Sequence, residues 1–362
     1  MEDLKSGQTY FKELTGLRAI AAYMVFFHHF NIFEKNSWLH SLCSEFYIGV
    51  TVFFVLSGFL ISYRYFDVSE ISISKYFLNR FSRIYPVYFI ITLVTFYFFD
   101  FYDGNFFYTR LFLNLTMLRG FFDYYKFTGI EQGWSLTVEE TFYFLAPLIL
   151  FLVSKRKVFI VLLPILFICI GLLLVQIFSK FSISGFFVSR EFMFNYTFFG
   201  RCCEFFSGVF MAFILRKNIR FSFAGYTSFG LLFIFISIFL LISFKGDNDY
   251  GIQSDYGKFV NTFFLPVFGI LPFFYGLIHE KTIISKILST NVFQLLGKSS
   301  YVFYLIHLGF LEKSIRGFLP ALGVISIFVS FVLLIILSII IYFFVENPLN
   351  NFFRRLSFQS KN

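Results

Sequence analysis

Charged residues are scarce in this sequence: they make up 14% of its 362 positions, whereas hydrophobic residues make up 58%. A water-soluble domain of this size carries far more charge, because its surface must be hydrated. The composition therefore excludes an ordinary soluble globular protein. It indicates a chain whose main solvent is a lipid bilayer.

Cysteine is also rare, with only four residues, Cys43, Cys169, Cys202 and Cys203. Their spacing lacks the pairs that are typical of a zinc site or a disulfide framework. Most of them lie in apolar segments, where cysteine behaves as a small hydrophobic side chain. We therefore expect neither a bound metal nor a disulfide scaffold.

The apolar segments show no alternation of apolar and polar residues, which the strands of a transmembrane barrel require. Stretches such as 223–244 and 325–344 carry no charge over about 20 residues, the length of a bilayer-crossing helix. Lipid cannot hydrogen-bond a free backbone, so spanning segments of this kind must be helical. We predict an all-α integral membrane protein.

A scan at this length predicts a bundle of ten transmembrane helices, near residues 15–33, 48–66, 84–99, 136–153, 158–178, 196–215, 223–244, 259–279, 299–311 and 321–345. An even number places both termini on one side of the membrane. Lys/Arg clusters at 154–157 and 216–220 fall on that side, so both termini are assigned to the cytoplasm. The same loop charges account for the net charge of +9 without nucleic-acid binding.

The sequence shows no internal repeat and no linker rich in proline or glycine. Residues 1–14 lack the apolar core of a signal peptide, so the first span is expected to stay in the protein. We predict a cytoplasmic tail over 1–14, one membrane domain over 15–345 and a second cytoplasmic tail over 346–362.

Ionisable residues inside predicted spans are costly, and their first interpretation is functional. Arg18 and His29 lie eleven positions apart in the first span, which places them on one helix face about 16 Å apart along the axis. Both residues would then line one groove. The alternative is that Arg18 anchors the helix end and His29 lies at the membrane interface.

The fourth predicted span opens with two adjacent carboxylates, Glu139 and Glu140. Glu139 enters the membrane from the outer side to about the depth of His29, so we expect the two side chains to meet. Alternatively, both carboxylates favour a helix N-terminus through the helix dipole.

Two further spans carry polar groups. Arg201 and Glu204, three positions apart, are expected to pair on one helix face, and they fit a structural ion pair as well as a substrate contact. His307 in the ninth span fits either a buried, hydrogen-bonded histidine or a catalytic one.

Arg80 and Arg83 lie in the predicted cytoplasmic loop ahead of Pro86. Proline suits the first turn of a helix, where free N–H groups and guanidinium groups together form an anion site. A phosphate-bearing ligand would fit this site. The alternative for Arg80 is a topology anchor.

Five segments of the chain recur together in one known family. They are Arg18 with ten residues before His29, 49–59 (Gly-Val-x-x-Phe-Phe-x-Leu-Ser-Gly-Phe), 80–86 (Arg-x-x-Arg-Ile-x-Pro), 134–143 (Trp-Ser-Leu-x-x-Glu-x-x-Phe-Tyr) and 300–307 (Ser-Tyr-x-x-Tyr-Leu-x-His). In this order, over nearly the whole chain, they resemble acyltransferase family 3, which includes bacterial O-antigen and exopolysaccharide O-acetyltransferases.

The resemblance implies that the protein lies in the bacterial inner membrane and transfers an acyl group, most often acetyl, from cytoplasmic acyl-CoA to a hydroxyl of a cell-surface or lipid-linked carbohydrate. It implies that Arg18, His29 and Glu139 are functional. Candidates for contact with the acceptor or for structural roles are Trp134, Ser135, Arg201, Glu204, Tyr301 and His307. The chain departs from the family where an often-doubled arginine is Asn79-Arg80, so one basic contact is expected to be missing.

Many relatives carry a C-terminal hydrolase-like domain, and this sequence ends at Asn362 soon after its last span. We therefore expect direct acylation within the membrane domain.

We hypothesise that acyl-CoA is a co-substrate whose phosphates contact Arg18, Arg80 and Arg83, with no permanently bound cofactor. His29 would take the proton of the attacking hydroxyl, and Glu139 would orient His29. An acyl-histidine intermediate is an open alternative. Two other classes stay open: a carrier or flippase of a lipid-linked glycan and a non-catalytic membrane scaffold.

Overall fold

The computed structural model describes residues 10–66, 72–100, 106–181, 183–219, 224–319 and 323–359. Within these ranges the chain is helical and contains no β-strand, which confirms the predicted all-α class. The α-helices in chain order are α1 Lys12–His29, α2 Trp38–Ser44, α3 Ile48–Tyr65, α4 Ile73–Thr95, α5 Phe107–Leu115, α6 Trp134–Lys155, α7 Phe159–Phe178, α8 Arg190–Tyr196, α9 Phe198–Arg216, α10 Tyr226–Phe244, α11 Asp255–Phe259, α12 Leu271–His279, α13 Ile283–Leu288, α14 Asn291–Ile306, α15 Phe310–Phe318, α16 Val324–Ile341 and α17 Asn347–Gln359.

Eight helical segments among the described residues are long and apolar enough to cross a membrane, which makes this a multi-pass membrane protein. They are Trp38–Tyr65, Ile73–Phe98, Glu131–Lys155, Phe159–Phe178, Arg190–Arg216, Tyr226–Phe244, Asp255–His279 and Val324–Arg355. The other two predicted spans correspond to α1, which carries the charges of Lys12, Glu13 and Arg18, and to α14, with 16 residues. The count of ten and the cytoplasmic termini stay predictions.

Helix α1 lies at the centre of the bundle, packed against α3 and α14, and α3 packs against α9. The α3–α9 contact depends on small residues, because a Cβ atom on Gly58 would collide with the Phe205 carbonyl and one on Gly208 with the Val55 carbonyl. Lipid is as apolar as the side chains, so close backbone packing of this kind holds membrane helices together.

The last helical segment runs on without a break from α16 through a π-helical stretch, Tyr342–Glu346, into α17, which packs against α4. Residue 346, the expected start of the C-terminal tail, therefore lies inside a helix. At the other terminus, α1 begins at Lys12, before the predicted boundary at residue 15.

Candidate functional site

A cavity, the basic cavity, opens between α1, α3, α4, α6 and α9. Arg18, Arg80 and Arg83 line it, and within the described ranges none of the three forms an ion pair. The Arg80 guanidinium lies over the Tyr143 ring, 5.8 Å from its centroid. Several guanidinium groups around one space, without bound carboxylates, form a site for an anion. We call this end of the bundle the basic end.

The structure corrects the predicted setting of Arg80 and Arg83. Both residues lie inside α4, which begins at Ile73, and Pro86 lies in the interior of that helix. The prediction of a loop with free N–H groups ahead of Pro86 was wrong, because the apolar scan stopped at the arginines. The guanidinium groups alone carry the anion-binding capacity here.

A second cavity, the inner cavity, adjoins the basic cavity. The two share four lining residues, Arg18, Ser57, Arg83 and Tyr143. Glu139 lines the inner cavity and accepts hydrogen bonds from the hydroxyls of Ser57 and Tyr143. A cation on one wall and a carboxylate on the other therefore face the same space.

The far wall of the inner cavity is built from two motif residues. Ser135 and Tyr304 share a hydrogen bond of 2.7 Å between their hydroxyls, and both line the cavity. Tyr301, another lining residue, donates to the backbone carbonyl of Ile84, 2.8 Å away. This bond ties α14 to α4 beside Arg83.

Two histidines mark the opposite end of the bundle, which we call the histidine end. His29, the last residue of α1, is exposed, and His307 follows α14 and is completely buried. Their ring centroids lie 5.7 Å apart. The Tyr304 ring lies 5.4 Å from that of His307, so Tyr304 connects the inner cavity to the histidine pair.

The expected meeting of His29 and Glu139 does not occur. Glu139 directs its hydrogen bonds to Ser57 and Tyr143. His29 has the rings of His28 and His307 as neighbours, and no hydrogen bond joins it to Glu139 in the part of the chain that is described. Similar depth along two helices does not determine which faces they turn to each other.

His28 is held by a separate contact on another face of α1. Its Nδ1 donates to the Ser44 carbonyl at 2.6 Å, and its ring meets the Tyr250 ring edge-on at 4.9 Å. Through these contacts His28 connects α1 to the segments that contain Ser44 and Tyr250 at the histidine end.

Arg201 and Glu204 are buried together inside the bundle, each with no exposed surface. The guanidinium group binds the carboxylate through two nitrogens, at 2.8 and 2.6 Å, and also donates to Tyr47, Thr51 and the Asn195 carbonyl. Its donors are therefore directed into the protein. Nothing in this arrangement turns the pair towards either cavity.

Trp134 stands at the start of α6, stacked on the Tyr47 ring at 6.3 Å and edge-on to Tyr196 at 5.0 Å. It is buried, so its ring positions the N-terminal turn of α6, which carries Ser135 and Glu139. Its aromatic neighbours link it to the Arg201 network through Tyr47.

Sequence reasoning missed four polar side chains of the site: Ser57, Gln132, Tyr143 and Tyr304. Tyr143 lies one helical turn after Glu139, a spacing that places the two on one helix face. Gln132 donates to the Tyr304 and Leu305 carbonyls at 2.7 and 2.8 Å, a contact that no local pattern reveals. Among the described residues, no group of three His, Cys, Asp or Glu side chains is placed to hold a metal ion.

The chain matches one family model, described as an acyltransferase domain, over residues 11–343. It is similar to the O-acetyltransferase OatA of Staphylococcus aureus strain NCTC 8325 / PS 47 and of strain COL, at 25% identity over 370 residues in each case. The matches cover 94% of this chain and 57% of each relative, so the chain spans less than two thirds of their length. No solved structure matches it.

Proposed function

Since this chain belongs to the acyltransferase family, we propose that it is a membrane O-acyltransferase that moves an acetyl group from acyl-CoA to a hydroxyl of a cell-surface or lipid-linked carbohydrate. Its cellular place in this proposal is the bacterial inner membrane, with the basic end towards the cytoplasm. The observation that carries the proposal is the pair of adjoining cavities, which share four lining residues and begin at the arginines of the basic cavity.

The basic cavity suits the phosphates of coenzyme A. Arg18, Arg80 and Arg83 present planar guanidinium groups, which bind phosphate through two hydrogen bonds at once. Three carboxylates lie near enough to interact electrostatically with these arginines, those of Glu139, Glu140 and Glu346. No described carboxylate forms an ion pair with them, so their N–H groups are available to a ligand. The cavity also lies at the end of the bundle where positive residues collect, as expected for a cytoplasmic side.

The inner cavity suits the pantetheine arm. It starts at Arg18 and Arg83, and its far wall is Ser135 and Tyr304. Arg18 and His29 are separated by about 16 Å along α1, a distance that an extended arm with a terminal thioester can cover. Glu139 and Ser57 offer oxygen acceptors to the amide N–H groups of such an arm.

The histidine end suits the chemical step. His29 is exposed there, beside His307, and the His307 ring lies 5.4 Å from the ring of Tyr304, which lines the inner cavity. A neutral imidazole accepts the proton of an attacking sugar hydroxyl near physiological pH. The hydroxyl oxygen then attacks the thioester carbonyl, and the imidazolium returns the proton to the departing sulfur of coenzyme A.

A transfer assay with the purified chain in proteoliposomes tests this function. Radioactive acetyl-CoA is supplied from the side of the basic end and a surface polysaccharide from the other, and label on the polysaccharide is counted. We expect transfer by the wild type and its loss in His29→Ala. His40→Ala, a histidine on α2 at the same end, is the matched control and should transfer at the wild-type rate.

Two results would contradict the proposal. One is transfer by His29→Ala at the wild-type rate, which would show that His29 is not the base. The other is a deletion strain whose polysaccharide keeps its acetyl content but changes its location, because that result describes a carrier.

A further inference from the structure

His307 is held in a single tautomer by its surroundings. Its Nδ1 lies 2.7 Å from the backbone carbonyl oxygen of Tyr304. A carbonyl oxygen only accepts, so Nδ1 carries the hydrogen. In the neutral ring Nε2 is therefore left without a hydrogen and acts as an acceptor.

This acceptor nitrogen has no partner. Nε2 of His307 is buried and makes no hydrogen bond with any described residue. Gln132 also donates to the Tyr304 carbonyl, at 2.7 Å, so both lone pairs of that oxygen are used and the His307 ring is held firmly. Buried polar atoms are rarely left unpaired, and each exception needs an explanation.

The nearest histidine ring among the described residues is that of His29. The two centroids are 5.7 Å apart, with an angle of 34° between the planes. A hydrogen bond of about 2.9 Å between ring nitrogens would bring the centroids to about 5 Å. The observed separation of 5.7 Å is about 0.7 Å longer, a difference that a small movement of the exposed His29 side chain would close.

We propose that Nε2 of His307 accepts a hydrogen bond from the His29 ring and thereby holds His29 in the tautomer whose other nitrogen is free to act as the base. His307 is thus a positioning residue for His29, in the role that sequence reasoning gave to Glu139. This inference rests on the proposed function, since it assigns the partner of the proposed base.

The proton movements balance without a further reagent. The acceptor hydroxyl gives its proton to the free nitrogen of His29 while its oxygen forms the new C–O bond to the thioester carbonyl. When the C–S bond breaks, the imidazolium passes that proton to the sulfur, and coenzyme A leaves as a thiol. The proton between His29 and His307 stays in place throughout, and the lone pair of His307 stabilises the positive charge on His29.

Two substitutions separate this role from a structural one. His307→Asn places an amide N–H where Nδ1 lies and keeps the bond to the Tyr304 carbonyl, but it removes the acceptor at Nε2. His307→Gln places its amide oxygen near Nε2 and keeps an acceptor for His29, but it gives up the bond to Tyr304. If His307 has only a structural role, asparagine should preserve activity. If it positions His29, glutamine should preserve activity better than asparagine.

We expect kcat of His307→Asn to fall on the order of 100-fold, with the KM for acetyl-CoA unchanged and the thermal midpoint close to wild type. His307→Gln should recover a measurable part of this loss. Wild-type turnover in His307→Asn would overturn the proposal. Equal losses of kcat in the two variants would also overturn it, because the acceptor that glutamine provides would then not restore activity.

A second readout does not depend on turnover. The ¹⁵N chemical shifts of the His29 ring, assigned by comparison with His29→Ala, report which nitrogen carries hydrogen. One protonated, hydrogen-bonded nitrogen in the wild type and a mixture of tautomers in His307→Asn are expected, and a mixture in the wild type would refute the pairing. Absence of acetyl transfer by the wild type would instead refute the proposed function.

Discussion

The carboxylate of Glu139 on α6 accepts a hydrogen bond from the hydroxyl of Ser57 on α3, where the inner cavity meets the basic cavity. Tyr143, one turn further along α6, donates to the same carboxylate. Two hydroxyls thus aim Glu139 at the space it shares with Arg18. The carboxylate belongs to the path of the proposed acyl donor, and His29 lies beyond it.

Replacing Glu139 by glutamine should therefore affect donor binding more than the chemical step. Glu139→Gln keeps an oxygen for one hydroxyl but removes the charge. Hydrogen bonds to charged groups contribute about 1.5–3 kcal/mol, so we expect the KM for acetyl-CoA to rise roughly tenfold or more. Initial rates over a range of acetyl-CoA concentrations measure this change. A collapse of kcat at unchanged KM would restore Glu139 as the partner of His29.

Removing one arginine of the basic cavity should weaken the binding of acetyl-CoA in a salt-dependent way. Arg83→Ala loses a charge-assisted contact to phosphate, so KM should rise roughly tenfold or more, and Arg83→Lys should recover part of the loss. The difference from wild type should shrink at high ionic strength. Arg156→Ala is the control, because it removes the same charge from the residue that follows the last residue of α6. Identical KM values for Arg83→Ala and wild type would remove the phosphate site.

Breaking the buried pair of Arg201 and Glu204 should destabilise the fold without a specific effect on transfer. Arg201→Met leaves a carboxylate buried and unpaired, which costs about 3–5 kcal/mol. The double change Arg201→Met with Glu204→Leu should recover most of this stability. Thermal unfolding in detergent gives the stability, and transfer per folded molecule gives the activity. A stable Arg201→Met protein that had lost transfer would assign the arginine to the acceptor.

Glu280 should make stability depend on pH at the start of α10. Partial burial opposes its ionisation, but the Thr227 hydroxyl and the N–H groups of Thr227, Gly225 and Tyr226 donate to it and hold its pKa below the usual value. The charged form is therefore favoured in the folded state. Its stabilisation is complete above the pKa of the unfolded chain, about 4.3, and disappears as the pH falls through the lower folded value.

Glu280→Gln tests this dependence. At neutral pH it should lower the free energy of unfolding by about 0.5–1 kcal/mol, as expected for a weakened helix cap. The gap to wild type should close as the pH is lowered through 4 towards the folded pKa. A gap that stays constant across this range would show that the charge of Glu280 does not matter.

The helical membrane fold could be predicted from composition because a bilayer permits few alternatives. The predicted seventh span, 223–244, corresponds to α10, Tyr226–Phe244. The third span was placed at residue 84, whereas its helix begins at Ile73. The apolar scan excluded Arg80 and Arg83 from the predicted span because they are charged. In the structure both residues lie within the helix and line the basic cavity inside the bundle.

The position of each polar residue along its own helix follows from local spacing, and so does its place on one face of that helix. For Arg18 and His29 this spacing predicts that both residues lie on one face of α1, about 16 Å apart along its axis. The rotation of one helix relative to its neighbours depends instead on how its buried apolar side chains pack. Val138 and Phe142 are buried without exposed surface, and their packing turns α6 so that Glu139 meets Ser57.

The pattern of residues along the chain was enough to establish a helical membrane protein with an arginine near one end of its first helix and two histidines at the other, because those properties depend on neighbours in the chain. Which distant side chains meet depends on the packing of the helices in three dimensions. Glu139 lies with Ser57 and the arginines, and His307 lies with His29. Their contacts depend on how large apolar surfaces pack between helices, and a polar side chain follows the packing of its helix.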